Sequence, residues 1–297
     1  MSQVFIQMLD ESTDVSTIKQ LAVVVRVVDH EKTLVEDRFV QLIDVEDASA
    51  EGLFKVLSTF MDSHGIPFEN MIGYAADNAS VMMGNMGGLK AKLETRVPNL
   101  FVLGCICHSL HLCSSAACQK LPSAVEDLCR DIHRYINHSP KRLVKFHEFQ
   151  DFVRVDSHRI LHPCQTRWLS LGPVVDRMVE QWPVLVLFFQ SEALESNVKA
   201  AGRILDGLNN PIIKLYVYFL SYILPIINKM NKEFQSESVK IHVAYSNICA
   251  FYKTVLGNYI KRDVIMRAPH AFAINYNNPS NFMVEHDWNF GSKLKCM

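Results

Sequence analysis

Two aspartates come directly after apolar runs, and their placement suggests phosphoryl-transfer chemistry. Asp10 follows residues 4–9, and Asp77 follows residues 71–76. Carboxylates are the oxygen ligands that Mg²⁺ and Mn²⁺ prefer, and two bound ions can stabilise both the attacking and the leaving oxygen of a phosphoryl transfer. Taken alone, an aspartate at a strand end is more often a turn former or a helix cap. A site for Mg²⁺ or Mn²⁺ at Asp10 and Asp77 therefore depends on a fold that brings the two together.

A cysteine–histidine group follows a third apolar run, residues 101–104. The seven residues from Cys105 to His111 include four side chains of metal-ligand type, with Cys107 and His108 between the two ends. Structural zinc sites usually combine two ligand pairs that lie far apart in the sequence, and no distant second pair is obvious. We therefore favour small buried thiols and a histidine at a helix start over a zinc site.

The apolar pattern predicts which elements position these residues. The short link at residues 29–32 predicts antiparallel hairpins among the first three strands, and the valine run at 19–28 predicts a strand that is buried on both faces. A helix over residues 49–64 and a shorter helix after Asp77 connect the remaining strands. The predicted strands are residues 4–9, 19–28, 35–45, 71–76 and 101–104.

Three strands, a helix, a strand, a helix and a fifth strand is the element order of a ribonuclease H-like domain. That fold class is α/β, with a mixed sheet in which we expect the strand order 3-2-1-4-5. The first and fourth strands are then neighbours, so that Asp10 and Asp77 face each other. In open α/β sheets, functional residues gather at the carboxyl ends of the strands, where we expect both acids and Cys105.

The second half of the chain shows a helical pattern throughout. Pro173 and Pro183 punctuate the helices that we predict over residues 166–190. The most apolar stretch, residues 212–227, is shorter than a typical membrane span and contains Lys214, so we predict a buried core helix rather than a membrane helix. The predicted domains are a ribonuclease H-like core at 1–107, a large α-helical insertion at 108–267 and an aperiodic, Asn-rich, poorly ordered tail at 268–297.

Composition limits the kinds of partner. The 297 residues include 30 basic and 31 acidic side chains, for a net charge of -1, and 49% are hydrophobic. These values indicate a soluble globular protein, in which any DNA contact is local or weak because there is no basic excess. The clearest basic cluster, Pro140-Lys141-Arg142 with Lys145, is small, and we favour a solvated helix face. The N-terminus shows no secretory signal, so the eight cysteines are expected to be reduced.

Four segments resemble successive motifs of the hAT-superfamily transposases: LDESTDVSTIKQLAVVVRVV, GYAADNASVM, LGCICHSLHL and QTRWLSL. The resemblance covers about residues 2–265 and is closest to domesticated, transposase-derived vertebrate proteins related to zinc finger BED-type proteins. It implies that Asp10 and Asp77 match the first and second catalytic acids. It also implies that Cys105 and His108 match a Cys-x-x-His motif where the fifth strand enters the helical insertion.

The same resemblance gives a DNA-binding role to Arg167 and Trp168. Trp168 matches the insertion-domain tryptophan that stacks on a flipped base near the transposon end, a contact suited to an aromatic ring beside an arginine. A helix-packing role for Trp168 and a solvated charge at Arg167 remain equally open.

The departures from the family pattern lead us to expect that catalysis is lost. The family's third acid, a glutamate after the insertion, has no match in this chain, nor do the C-terminal dimerisation segment and the N-terminal BED-type zinc finger. We predict a non-catalytic, truncated transposase-derived protein with weak DNA binding. One alternative is a protein-interaction module that uses the helical region and acts in transcriptional regulation. The other is a product without function. The ancestral role favours the nucleus, the cytoplasm stays open, and we expect no membrane association.

Overall fold

The computed structural model describes residues 4–13, 19–29, 34–163, 171–195, 198–236, 238, 240–289 and 291. Its contacts divide the chain into two compact units, Met1–Ser109 and Leu110–Met297. The first unit contains all five strands, and the second is helical. The domains predicted from sequence, 1–107, 108–267 and 268–297, divide the chain differently, and they stay a prediction.

A five-stranded mixed sheet forms the first unit. Its order is β3-β2-β1-β4-β5. The pairs β1–β2 and β2–β3 are antiparallel, whereas β1–β4 and β4–β5 are parallel. The predicted α/β class and strand order are therefore confirmed. The strands are β1 (Phe5–Thr13), β2 (Lys19–Asp29), β3 (Leu34–Val45), β4 (Met71–Ala76) and β5 (Phe101–Gly104).

Three helices of this unit lie between strands. Helix α1 (Ala50–Ser63) begins where the Ser49 hydroxyl accepts the Gly52 N–H at 3.1 Å, a standard N-cap. It ends before Gly65, whose φ of +62° suits glycine. The apolar stripe of α1 packs with the sheet and with α3 into one core. The other two helices are α2 (Ser80–Met83) and α3 (Leu89–Arg96).

The sheet buries one of its faces more completely than the other. In β2, Leu21, Val23 and Val27 are buried, whereas the alternate residue Val28 is 39% exposed. The prediction that β2 is buried on both faces was therefore wrong. Valine is common in strands because it suits the pleated backbone, irrespective of what covers each face. On the open face, one cross-strand row joins Phe39, Val24, Met8, Ala75 and Leu103.

The helical unit is built around one central helix. Helix α7 (Leu171–Glu195) runs unbroken through Pro183, although this proline was predicted to punctuate it. Pro173, the other predicted break, lies in the first turn of the helix, where the backbone N–H groups have no partner within the helix. Burial of Val184, Phe188 and Phe189 against the surrounding helices offsets the hydrogen bond that an internal proline removes. The helices are α4 (Ile106–Cys118, which spans the division between the units), α5 (Ala124–Asn137), α6 (Pro140–Val153), α7 (Leu171–Glu195), α8 (Lys199–Asn209), α9 (Pro211–Phe234), α10 (Ile241–Leu256) and α11 (Arg262–Arg267).

Helix α9 contains the most apolar stretch of the chain. Val217, Leu220 and Leu224 are buried in the core around α7, but Ile212 is 59% exposed and Leu215 is 43% exposed. The expectation of a buried core helix therefore holds for one side of α9. Within the described part of the chain, α9 is also the one helix long and apolar enough to cross a membrane by length and composition.

Residues 268–289 of the C-terminal segment are packed, which differs from the poorly ordered tail predicted for 268–297. Ile274 is 3% exposed and lies in a small core with Ile260 and Ile265. The Met283 N–H donates to the Tyr259 carbonyl at 2.8 Å, and the Asn289 N–H to that of Asn258 at 2.8 Å. Short 3₁₀ turns at Ala271–Ala273, Pro279–Asn281 and Glu285–Asp287 lack the regular periodicity on which sequence prediction relies.

A buried carboxylate joins three helices of the helical unit. Glu192 on α7 accepts hydrogen bonds from the Tyr135 hydroxyl on α5 at 2.7 Å and from the Lys145 ammonium on α6 at 2.8 Å. The Arg142 guanidinium lies 3.7 Å from the same carboxylate and 3.8 Å from the centre of the Tyr135 ring. Burial raises the pKa of Glu192, but the bonds from Lys145 and Tyr135 and the nearby cationic charges outweigh burial, so the pKa lies below its ordinary value.

Replacing this carboxylate should weaken the helical unit. Because Glu192→Ala removes the bond from the buried Tyr135 hydroxyl and one of the two carboxylates that bond Lys145, we expect a loss of about 2–4 kcal/mol in the free energy of unfolding. The pKa is lowered in the folded state, so this contribution is present at neutral pH and is lost as pH falls through the lowered folded-state pKa. Urea unfolding at pH 7 and pH 3 measures both effects.

The control is Glu195→Ala, because Glu195 bonds the same lysine at 2.8 Å but is 65% exposed. It should change stability far less at both pH values. Equal losses for the two variants would show that the buried network does not hold the three helices.

Candidate functional site

The structure places Asp10 and Asp77 on neighbouring parallel strands. The last pair in the β1–β4 register is Met8 with Ala75. Both aspartates lie two residues beyond that pair, at the same level of the sheet. Asp10 is exposed and Asp77 is partly exposed. Their metal-binding and catalytic roles stay predictions, because the register fixes their positions along the strands and not a bound ion.

Asp10 does not lie after the end of its strand, as the apolar run suggested. β1 continues to Thr13 because Asp10 and the following residues pair with β2, and Asp10 is opposite Ala22. What ends near Asp10 is the pairing with β4. Asp10 therefore lies just beyond the end of the β1–β4 pairing, while β1 is still paired with β2 on its other side.

Asp77 has a local structural role in addition. Its carboxylate accepts the Ala79 N–H at 3.1 Å, which forms the turn into α2. The ring of Tyr74 is buried behind it, and the Tyr74 hydroxyl donates to the Met82 sulfur at 3.6 Å. Burial, and then the charge of Asp77, raise the pKa of Tyr74 well above its ordinary value. Tyr74 is therefore a neutral packing residue rather than an acid or base at neutral pH.

Asn78 links the residues that follow β4 to those that follow β5, a role that no sequence motif indicated. Its side-chain amide donates to the Cys105 carbonyl at 2.8 Å and to the Ser109 hydroxyl at 2.7 Å. A Cβ on Gly104 would lie 2.1 Å from the Asn78 amide oxygen, so glycine is required for this close approach. A glycine directly before the cysteine motif was the available signal, but nothing in the sequence paired it with a residue 26 positions earlier.

Cys105 and His108 lie at the same carboxyl edge of the sheet. The Cys105 N–H donates to the Ala76 carbonyl at 3.0 Å, which extends the β4–β5 ladder by one bond. Burial, and then the charge and hydrogen bonding of Cys105, raise the pKa of the Cys107 thiol. Within the part of the chain that the structure describes, no three His, Cys, Asp or Glu side chains form a group that could hold a metal ion.

The donor set at this edge fits a divalent ion only loosely. Mg²⁺ is commonly held by one or two protein carboxylates while waters or substrate phosphates complete its octahedron. Asp10 could supply one carboxylate and Asp77 another, although one Asp77 oxygen already accepts the Ala79 N–H. The two aspartates would hold such an ion at the sheet edge, and its positive charge would partly offset their repulsion of phosphate.

Arg167 and Trp168 lie outside the described residues, so their predicted DNA-binding role stays a prediction. The loop that leads to them is firmly held. Gln150 and Gln181 are both fully buried and bond each other at 2.8 Å. Gln150 also donates to the His158 carbonyl at 2.8 Å, and Gln181 donates to that of Asp156 at 3.0 Å.

The basic cluster on α6 is largely occupied by acids of α7. Lys145 bonds both Glu192 and Glu195, and Arg142 lies against Glu192. Two of the three cations are therefore directed toward carboxylates of the same unit. The cluster therefore offers little positive charge to a phosphate backbone. It is not the solvated helix face that we favoured, because Arg142 and Lys145 are only partly exposed and lie against Glu192.

Comparison with known proteins gives matches along most of the chain. A family model described as the FAM200/GTF2IRD2 helical domain matches residues 104–257, and one described as the ZMYM1/FAM200 RNase-like domain matches residues 1–88. General transcription factor II-I repeat domain-containing protein 2 of Bos taurus is 24% identical over an alignment of 253 residues that covers 82% of this chain. The chain spans about a quarter (25%) of the length of that curated relative.

The junction of β4 and β5 can be tested by a double-mutant cycle. Because Asn78→Ala removes two hydrogen bonds, it should lower the free energy of unfolding by about 1–3 kcal/mol. Gly104→Ala should cause a similar loss, because its new Cβ displaces the same amide. The double variant should lose much less than the sum, since the amide can be lost only once. Urea unfolding measures all three variants.

Strict additivity would show that Asn78 and Gly104 act independently. The control for adding a methyl group is Gly87→Ala, because a Cβ at Gly87 meets nothing within 4 Å.

Proposed function

The chain belongs to the FAM200/GTF2IRD2-like family, and we propose that it is a domesticated hAT transposase derivative that has lost strand cleavage and retains weak DNA binding. The two family models and the curated relative support a transposase-derived, domesticated origin. Membership of the hAT superfamily, loss of catalysis and DNA binding are our proposals.

The observation that carries the proposal is the pair of acids at the edge of an RNase-like sheet, without a third acid beside them in the residues that the structure describes. Asp10 and Asp77 occupy equivalent levels of β1 and β4, the arrangement from which a two-metal phosphoryl-transfer site is built. Within the described ranges no third acid, cysteine or histidine joins them in a metal-holding group. Two carboxylates alone bind one ion weakly through shared phosphate and water ligands, and that supports binding without cleavage.

Charge supports weak rather than strong DNA binding. The net charge of -1 gives little long-range attraction to DNA. The acids at the sheet edge repel phosphates until a divalent ion neutralises them. We propose Arg167 and Trp168 as the local contacts that remain. A nuclear location agrees with this proposal and with the name of the bovine relative, which contains a transcription factor II-I repeat.

A protein-interaction module is the second candidate. Helices α9 and α10 expose large apolar side chains, among them Ile212 (59%), Ile241 (63%) and Tyr245 (65%). Exposed apolar side chains of this size are common at protein-binding surfaces. This candidate leads if the protein does not bind DNA at low salt.

Strand cleavage should be absent. Incubation of the chain with blunt and flapped duplex DNA in Mg²⁺ or Mn²⁺ should give no nicks or hairpins above the buffer rate, because the acidic edge is incomplete. Denaturing gel electrophoresis of end-labelled DNA provides the measurement. Cleavage by the wild type that disappears in Asp10→Asn would overturn the proposed loss of catalysis and show that another residue completes the site.

DNA binding should be weak, salt-sensitive and partly dependent on Trp168. We expect dissociation constants on the order of micromolar or weaker, a steep loss with added salt and an improvement with divalent metal. Trp168→Ala should weaken binding to a flapped duplex more than to a blunt one, since only an unstacked base can lie on the indole. Fluorescence anisotropy across a salt titration measures both substrates.

The control for this experiment is Trp288→Phe, which keeps an aromatic ring in the C-terminal core. If Trp168→Ala binds both substrates like the wild type, Trp168 is a packing residue. If no protein binds either DNA at low salt, DNA binding is excluded.

A further inference from the structure

A cavity of about 410 Å³ opens between α7 and α9 in the helical unit. Gly172, Asp176 and Asn228 lie around it together with two lysines, and its full lining is Gly172, Pro173, Asp176, Pro225, Asn228, Lys229 and Lys232. A Cβ on Gly172 would lie 3.0 Å from the Asn228 side-chain nitrogen, so the two helices approach closely at this point. The cavity is far larger than the ~30 Å³ share of one water molecule in the liquid.

The lysines make the wall on the α9 side cationic. Lys229 and Lys232 are three residues apart and therefore point from the same side of α9. Both are exposed, and neither forms an ion pair in the described part of the chain. They differ in this respect from Lys145, whose charge is taken up by two glutamates.

One acid also lines the cavity. The Asp176 carboxylate accepts the Ser221 hydroxyl at 2.6 Å, a bond between α7 and α9 that directs this oxygen to the protein. Two lysines against one engaged aspartate leave a net positive charge at the opening. The nearest acidic neighbour along α7, Glu180, is bonded to Arg177 at 2.8 Å and to His158 at 2.7 Å.

We propose that this cavity binds a phosphate group, in the first place one of a nucleic-acid backbone. Lys229 and Lys232 donate to the phosphate oxygens as mobile point charges. This deepens, and in part rests on, the proposed DNA binding: Gly172 follows Trp168 by four positions in the sequence. The cavity supplies a phosphate contact that is independent of the DNA sequence.

The test compares the full-length wild type with Lys229→Gln/Lys232→Gln and a matched control, Lys120→Gln/Lys199→Gln. The control removes the same charge from two exposed lysines outside the cavity. Each phosphate contact contributes about 0.9 to the slope of log K against log salt on duplex DNA. Because both lysines contact one phosphate, the cavity variant should lose about 0.9 from that slope, and the control should keep the wild-type slope. The melting temperature of each variant is measured too, because Lys232 lies in the last turn of α9, where a cation favours the helix end.

A second arm uses inorganic phosphate alone and separates the two proposals. If the wild type does not bind DNA but phosphate raises its melting temperature and not that of the cavity variant, DNA binding fails and the phosphate site stands. If DNA binds with the same slope in wild type and cavity variant, the phosphate site is wrong while DNA binding stands. If the wild type and the cavity variant show the same melting temperature with phosphate and the same DNA binding, the cavity is only a gap between helices.

Discussion

The bond from Asn78 to the backbone of Cys105 is the constraint on which the edge of the sheet depends. β4 and β5 pair through only four residues each, a short ladder for a parallel pair. The amide of Asn78 extends it beyond the last strand residues and also reaches Ser109 in the first turns of α4. Asp77 is thereby fixed next to the start of the cysteine–histidine motif, and the turn after β4 is prevented from swinging away from the sheet.

In the helical unit, buried polar groups hold the elements in one arrangement. Its core is apolar, yet Glu192, Gln150 and Gln181 lie inside it with hydrogen-bond partners on other elements. A buried amide or carboxylate is costly unless it is bonded, so each of these groups fits one arrangement of the helices and disfavours others. The glutamines hold a loop that has no regular structure of its own, and the glutamate holds three helices at a common point.

Much of the fold could be predicted from sequence because it follows from local patterns. Short links and alternating apolar residues gave the hairpins of the first three strands, and the run ending at Asp77 gave β4. The failures have physical causes. Valines in β2 fit a half-buried pleated surface, so their presence does not require burial on both faces. The C-terminal segment packs through single aromatic and aliphatic contacts without a period. Asn78 and Glu192 act on residues 27 and 47 positions away, which a single sequence does not reveal.

The pairing pattern of the sheet also sets an order in which the chain can fold. Few residues separate β1 from β2 and β2 from β3, so their antiparallel pairs close small loops at low entropic cost. Phe5, by contrast, meets Met71 in the parallel pair, which requires the intervening chain to be synthesised and α1 to be in place. Contacts between such distant residues form slowly. On a ribosome, the hairpins would therefore form first, and one edge of β1 would stay unpaired until β4 is available. The pairing of β4 with β1 then sets the level of Asp77 relative to Asp10 in the sheet.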